Sequence, residues 1–199
     1  MYLVDETELP LSALPIAEFR AHLRVGTGFA EDSLQDSVLE GFLRAAMAAV
    51  EGRCGKVLIA RAFTWLMQDW RDGQAQALPL APVTSVSAVR LLDADDLATE
   101  VAESAYRLEM DAHYPMLRAT GACFPAPVSD GQVEIVATVG FAEDWSDVPA
   151  DLKQAVLMLA AHYYEYRNDT ALSGGCMPFG VTSLIARYRP VRIGLEGTQ

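Results

Sequence analysis

The stretch GQVEIVATVGFAEDWSDVPADLKQAVLMLAAHYYEYR, Gly131 to Arg167, carries two hydrophobic periods back to back. In QVEIVATVG, Val133, Ile135 and Val139 fall on one side of an alternating pattern, and Glu134 and Thr138 on the other. That is the period of a strand with one buried face. Ser129-Asp-Gly131 before it is a turn signal. A helix then starts near Asp147-Val-Pro149 and is expected to run to about Tyr166. Its body is apolar almost all round, which describes a helix buried on most sides. Strand and central helix together make the chain α+β, and the segments around them weight it toward α.

Upstream, LSALPIAEFRAHLRV places Ile16, Phe19 and Leu23 on one helical face, with Pro15 in the first turn. Val25-Gly-Thr-Gly28 is read as its stop. A longer helix is expected from about Glu31 to Arg53, with Leu34, Val38, Phe42, Ala45 and Ala49 as its apolar stripe and Gly55 as its C-cap. From Arg61 the texture changes. RAFTWLMQDW, the β-branched run in LPLAPVTSVSAVRLLD, and YRLEMD read as short strands separated by turns. The expected organisation is N-terminal helices over 1–60, a small antiparallel β-rich insertion over 61–140, and a central buried helix with hinge over 141–175. An extended C-terminal arm over 176–199 completes a helical bundle with insertion.

The chain has 199 residues, 51% of them apolar, enough for a packed core. Asp plus Glu number 27 against 15 Lys plus Arg, a net charge of −12. Such a balance disfavours a broad phosphate-gripping surface. The N-terminus shows no basic, long-apolar secretory pattern, and no apolar run approaches the ~20 residues of a membrane span. The expectation is a soluble protein made in the cytoplasm, with no membrane partner.

Chemistry is thin. Cys54, Cys123 and Cys176 are scattered without metal or redox spacing. His22, His113 and His162 lack partners at ligand spacing, and Asp93, Asp95 and Asp96 lack the glycine and closing glutamate of a calcium loop. Ser173-Gly-Gly-Cys176 has no base beside it and reads as a hinge. Tyr163, Tyr164 and Tyr166 read as packing aromatics, with base stacking as the alternative. No catalytic residue, metal ligand or cofactor site is expected.

The order of these segments is what is distinctive: LPIAEFRAHLRV, an acidic start to an alanine-rich helix ending VEGRCGK, AFTWLMQDW, LPLAPVTSVSAVRLLD, YRLEMD, GQVEIVATVGFAEDWSDVPADLKQAVLMLAAHYYEYR, and a last segment ending IARYR. From about Leu11 to Arg189 it resembles the tailed-phage head–tail connector (adaptor) family and its counterparts in gene transfer agents. The resemblance implies a structural protein without a cofactor. Its partners would be further copies of itself in a ring, usually dodecameric, the portal protein above, and the next tail-completion (stopper) protein below. DNA would pass through the channel without specific binding, and the assembled protein would sit at the portal vertex between head and tail. The competing classes are a small virion enzyme with no legible catalytic motif, and a nucleic-acid binder using the C-terminal arginines.

The C-terminal segment SLIARYRPVRIG, Ser183 to Gly194, concentrates positive charge on an acidic chain. Gly174-Gly175 would let it leave the bundle. Leu184 and Ile185 would serve as apolar anchors, Tyr188 as an aromatic anchor, and Arg187, Arg189 and Arg192 as donors to the portal or a neighbouring subunit. The alternative is that Leu184 to Tyr188 packs on its own bundle.

Overall fold

The computed structural model describes residues 2–7, 9–24, 32–167 and 177–189. Among the described residues four helices pack around a shared core: α1 (Ile16–His22), α2 (Asp32–Cys54), α3 (Ala150–Glu165) and α4 (Phe179–Ile185). The strands are β1 (Tyr2–Asp5), β2 (Arg61–Met67), β3 (Ala75–Ala77), β4 (Val83–Leu92), β5 (Ala98–Glu100), β6 (Tyr106–Glu109), β7 (Met116–Ala119) and β8 (Gln132–Val139). They make a five-stranded sheet in the order β1-β2-β8-β4-β5 and a three-stranded sheet β3-β7-β6. Every pairing is antiparallel. With four helices and two sheets the architecture is mixed α+β, which corrects the expectation of a mainly helical protein. The extra strands are three or four residues long, too short to show a period in sequence.

β8 behaves as its alternation requires. Val133, Ile135, Ala137 and Val139 are buried, and the residues between them are not. β8 is central, flanked by β2 and β4. β4 carries two bulges, between Val83 and Ser85 and between Val86 and Ala88. Such irregularities blunt a strand that is paired along only part of one side. β1 lies at the opposite edge, so the first residues belong to the sheet and not to the helical unit expected over 1–60. The far rim of this sheet, where Met67 pairs with Val133 and Leu92 with Gln132, gathers the turns bearing Asp69, Asp93, Asp95, Asp96 and Asp130.

Two cores result. One lies among the helices and includes Phe19, Leu43, Val50, Leu152, Val156, Leu159, Val181 and Ile185; the other lies between the sheets around Trp65, Leu117 and Ile135. α3 is buried over most of its circumference, as its composition demands, because α1, α2 and α4 all pack on it. α2 turns a different face inward from the one expected. Leu39, Leu43, Ala46, Met47, Val50 and Cys54 are buried, whereas Val38 and Ala45 are exposed. The Leu34 side chain lies outside the described residues. An alanine-rich helix offers two apolar stripes, and the one with larger side chains excludes more water.

The junction between helices and sheet is tightly specified. Gly55 closes α2 at φ +62°, a left-handed conformation that favours glycine. Gly140, at φ +155°, ends β8, and a Cβ there would lie 2.3 Å from the Cα of Ala60. Arg61 at the start of β2 reaches Asp5 of β1 through Nε (2.7 Å) and Glu51 of α2 through Nη2 (2.8 Å). Glu51 also accepts the Leu58 N–H at 2.8 Å. Lys56 is buried just beyond α2, and its ammonium donates to the Ala112 carbonyl at 2.5 Å. Burial pushes the Lys56 pKa down.

Candidate functional site

Residues 177–189, expected to form part of an extended arm, are instead folded onto the bundle. Pro178 is the residue before α4, and its carbonyl accepts the Thr182 N–H at 3.0 Å. Val181 and Ile185, one turn apart, bury against α3. The tip of the flexible Met158 side chain lies over Gly180, where a Cβ would sit 2.9 Å from its Cε. The chain then tightens into a 3-10 turn over Ala186–Tyr188. The physical reason for the correction is the spacing of Val181, Ile185 and Tyr188, which puts three apolar groups on one side of a helix that would otherwise be wet. The glycine hinge at Gly174-Gly175, Ser173 to Cys176, Val25 to Gly28 and Arg192 lie outside the described residues.

Tyr188 is the hinge pin of this surface. Its ring meets Phe141 edge-on, with centroids 5.6 Å apart. Its hydroxyl donates to Asp151 Oδ1 at 2.7 Å, in the first turn of α3. Arg187 Nη2 donates to the Tyr188 hydroxyl at 2.5 Å and bridges to Asp151 Oδ2 at 2.7 Å. Burial, reinforced by Asp151, raises the Tyr188 phenol above its ordinary value despite Arg187. The Arg187 guanidinium is raised in turn, first by its bond to Tyr188.

Of the six expected contact residues, Ile185 and Tyr188 are therefore core residues and Leu184 is half-buried against the same core. Arg187 and Arg189 are at the surface; the Arg187 side chain is 70% exposed even while paired. Arg189 and the exposed Arg53 lie close enough to Cys54 to oppose the rise that burial imposes on its thiol. Arg53, Arg187 and Arg189 are all exposed, and Arg187 is held against the Asp151 carboxylate. Sequence reasoning missed Arg53 and Asp151. Their neighbours in space are more than 30 residues away in the chain, and no local pattern could have joined them.

Elsewhere the chemistry-bearing residues serve the fold. Asp93 Oδ1 accepts the N–H groups of Asp95 and Leu97, both at 2.9 Å, and so is committed to its own turn. His162 packs near Tyr166, with centroids 4.7 Å apart, and His113 lies in the β6–β7 turn. Among the described residues, no group of three or more His, Cys, Asp or Glu could hold a metal ion. No helix among them is long and apolar enough to cross a membrane.

Tyr188→Phe removes a hydroxyl that joins α3 to the last turn. A stability loss of about 1 kcal/mol is expected, read as a lower midpoint in urea. The pH dependence follows from the raised phenol. The native state keeps its proton above pH 10.0, the unfolded reference, where the unfolded chain has lost it. Stability is therefore full below about pH 10 and falls as pH rises through the folded value. The decline should be shallower in Tyr188→Phe, though not absent, because burial also raises Tyr106 and Tyr163.

No protein-family model and no curated protein sequence matches the chain. Solved structures do. A chain in the neck of an empty GTA particle, computed with C6 symmetry, is 50% identical, with 99% of each chain covered and a TM-score of 0.90. A chain in the virion of a native gene transfer agent particle is 49% identical over 99% of each chain, with a TM-score of 0.86. A chain in the neck of a native GTA particle, computed with C12 symmetry, is 46% identical over 99% of each chain, with a TM-score of 0.85. Fold and comparisons together define a structural component of such a particle. The chain belongs to the family of gene transfer agent neck proteins, whose place is the head–tail junction.

Proposed function

We propose that this protein is the head–tail adaptor of a gene transfer agent particle. Copies form a ring beneath the portal protein, extend the DNA channel and offer a platform to the next tail-completion (stopper) protein. The observation that carries this reading is the full-length similarity, 50% identity over 99% of both chains, to a neck chain of such a particle. The symmetry of the solved necks, C6 and C12, supports a cyclic assembly. The net charge of −12 is consistent with DNA passing without grip.

The portal or neighbour contact falls to Arg187 and Arg189 with the exposed edge of Leu184, and to Arg192 beyond the described residues. Ile185 and Tyr188 hold that surface in place from beneath. Truncation after Gly175 would remove buried Val181, Ile185 and Tyr188 and so damage the fold. Truncation after Arg189 is the informative cut.

The experiment is co-sedimentation with portal-bearing heads. Arg189→Glu should be retained several-fold less at low salt, with an unchanged melting curve. The difference should fade above about 0.5 M salt as screening shortens to a few ångströms. Particles made without the protein should be heads lacking tails, restored by the intact gene. Tailed particles of normal yield without it would overturn the reading.

A further inference from the structure

The five-stranded sheet has two unlike edges. β4 interrupts its register with two bulges, and β5 covers only Arg90–Leu92 on its outer side. β1 pairs with β2 without interruption over Tyr2–Asp5, and its other side meets no strand among the described residues. The Glu6 N–H donates to the Ala62 carbonyl at 3.0 Å. Antiparallel alternation therefore turns the backbone groups of Tyr2 and Val4 toward β2 and those of Leu3 and Asp5 outward. Proteins blunt such an edge with bulges, proline, lysine or a covering segment. YLVD has none of the first three, and its one charge, Asp5, is taken by Arg61.

Leu3 shows what is missing. It stands opposite Trp65, and Asp5 opposite Phe63, so its side chain is on the face that packs toward the second sheet. It is nonetheless 39% exposed, because β1 is the last described strand on that side.

The chain holds a stretch with the matching pattern. Residues 190–199 read PVRIGLEGTQ and lie outside the described residues. Val191, Ile193 and Leu195 alternate strictly with Arg192, Gly194 and Glu196, which is the period of a strand. Pro190 stands at the start, where a strand tolerates proline. Laid antiparallel with Leu195 opposite Leu3, the same register sets Ile193 against Asp5 and Arg192 against Glu6. The apolar set then extends the face that carries Leu3, and the arginine meets the exposed Glu6 on the other face.

The point of attachment is close. The Tyr188 ring meets Phe141, the Phe141 N–H donates to the Val57 carbonyl, and the Ala60 N–H donates to the Ala142 carbonyl. The last described turn therefore sits at the corner where β2 begins. From β2 to the lane outside β1 is two strand spacings, about 10 Å. Arg189 to Ile193 spans about 13 Å when extended. So short a covalent tether sets the effective concentration of the segment at its own β1 near millimolar.

We propose that residues 191–196 lie antiparallel along β1 of the same chain as a sixth strand that caps the open edge. The added strand satisfies the outward groups of Leu3 and Asp5 and denies the edge to other chains, so copies crowded together do not join sheet to sheet. This goes beyond the adaptor reading and does not depend on it.

The test is residue-resolved amide exchange on the full chain. The Leu3 and Asp5 amides should exchange at least tenfold faster in Ile193→Pro, which cannot donate to the Asp5 carbonyl, and as in wild type in Ile193→Val. Equal rates in wild type and Ile193→Pro would overturn the proposal. The source of the strand is read by placing p-benzoylphenylalanine at position 2 and irradiating an equal mixture of ¹⁵N-labelled and unlabelled chains. The expected product has the mass of one chain, with position 2 joined to a peptide within 190–199 of the same isotope. Links between labelled and unlabelled chains would assign the strand to a second copy and overturn the proposal, as would a link elsewhere or no link at all.

Discussion

Leu159→Asp should yield no soluble, folded protein. Leu159 is 1% exposed in the middle of α3, inside the core that α1, α2 and α4 share. A carboxylate placed there has no described cation at hand and loses both the packing of the leucine and the hydration of its own charge. The expected cost is several kcal/mol, against a total stability of about 5–15 kcal/mol for an ordinary domain. Leu159→Met, which keeps volume and polarity, should cost less than about 1.5 kcal/mol and serves as the control. The measurements are the soluble fraction on expression and the thermal midpoint. A soluble Leu159→Asp protein melting like wild type would mean that this side of α3 faces water.

Glu51→Ala is expected to have the next largest effect. The Glu51 and Arg61 side chains are 12% and 11% exposed, and their carboxylate and guanidinium meet through two hydrogen bonds of 2.8 and 3.1 Å. Removing the acid leaves a nearly buried guanidinium with Asp5 as its one described carboxylate partner beside the Ile59 carbonyl, and leaves the Leu58 N–H without its acceptor. Breaking such a pair costs about 3–5 kcal/mol. Because Asp5 remains, the lower end is expected, a fall of roughly 6–12 °C in melting temperature for a chain of this size. The informative comparison is the double variant Glu51→Ala with Arg61→Met. It should be more stable than the sum of the single changes by at least about 1 kcal/mol, since the stranded charge is gone. Strict additivity would mean that the two groups do not stabilise one another.

What was legible in the sequence was whatever had a period long enough to repeat. β8 alternates over eight residues and α3 is apolar over sixteen, and both formed as their patterns require. β1, β3, β5 and β7 run for three or four residues, and a strand that short shows no alternation to read. α2 carried two acceptable stripes, and only the packing of Leu39, Leu43 and Met47 against α3 and its neighbours decides between them. The C-terminal segment misled for a different reason. Its arginines and the preceding glycines suggested an arm, yet Val181, Ile185 and Tyr188 recur at helical spacing and had a core to join. Of the candidate site, the surface position of Arg187 and Arg189 was legible in their charge. The Asp151 carboxylate that organises them was not, being 36 residues from Arg187 in the chain. Nor could sequence say that Phe179 faces out while Val181 faces in, because that choice belongs to the packing of α4 on α3.

The mounting of α4 has a kinetic consequence. A tail segment that folds only on arrival must search its conformations during the encounter. Part of its gross binding energy then goes into ordering, on the order of 2–5 kcal/mol for segments of this kind. α4, pinned by the Tyr188–Asp151 bond and by burial of Val181 and Ile185, presents its outward groups already oriented. If the proposed contact is made through this segment, a partner collides with a finished shape, so the association rate should depend on ionic strength and collision geometry more than on chain rearrangement. Substitutions on its outward face should then appear chiefly as changes in residence time. Loosening Tyr188 should instead slow capture itself, even though that side chain never touches the partner.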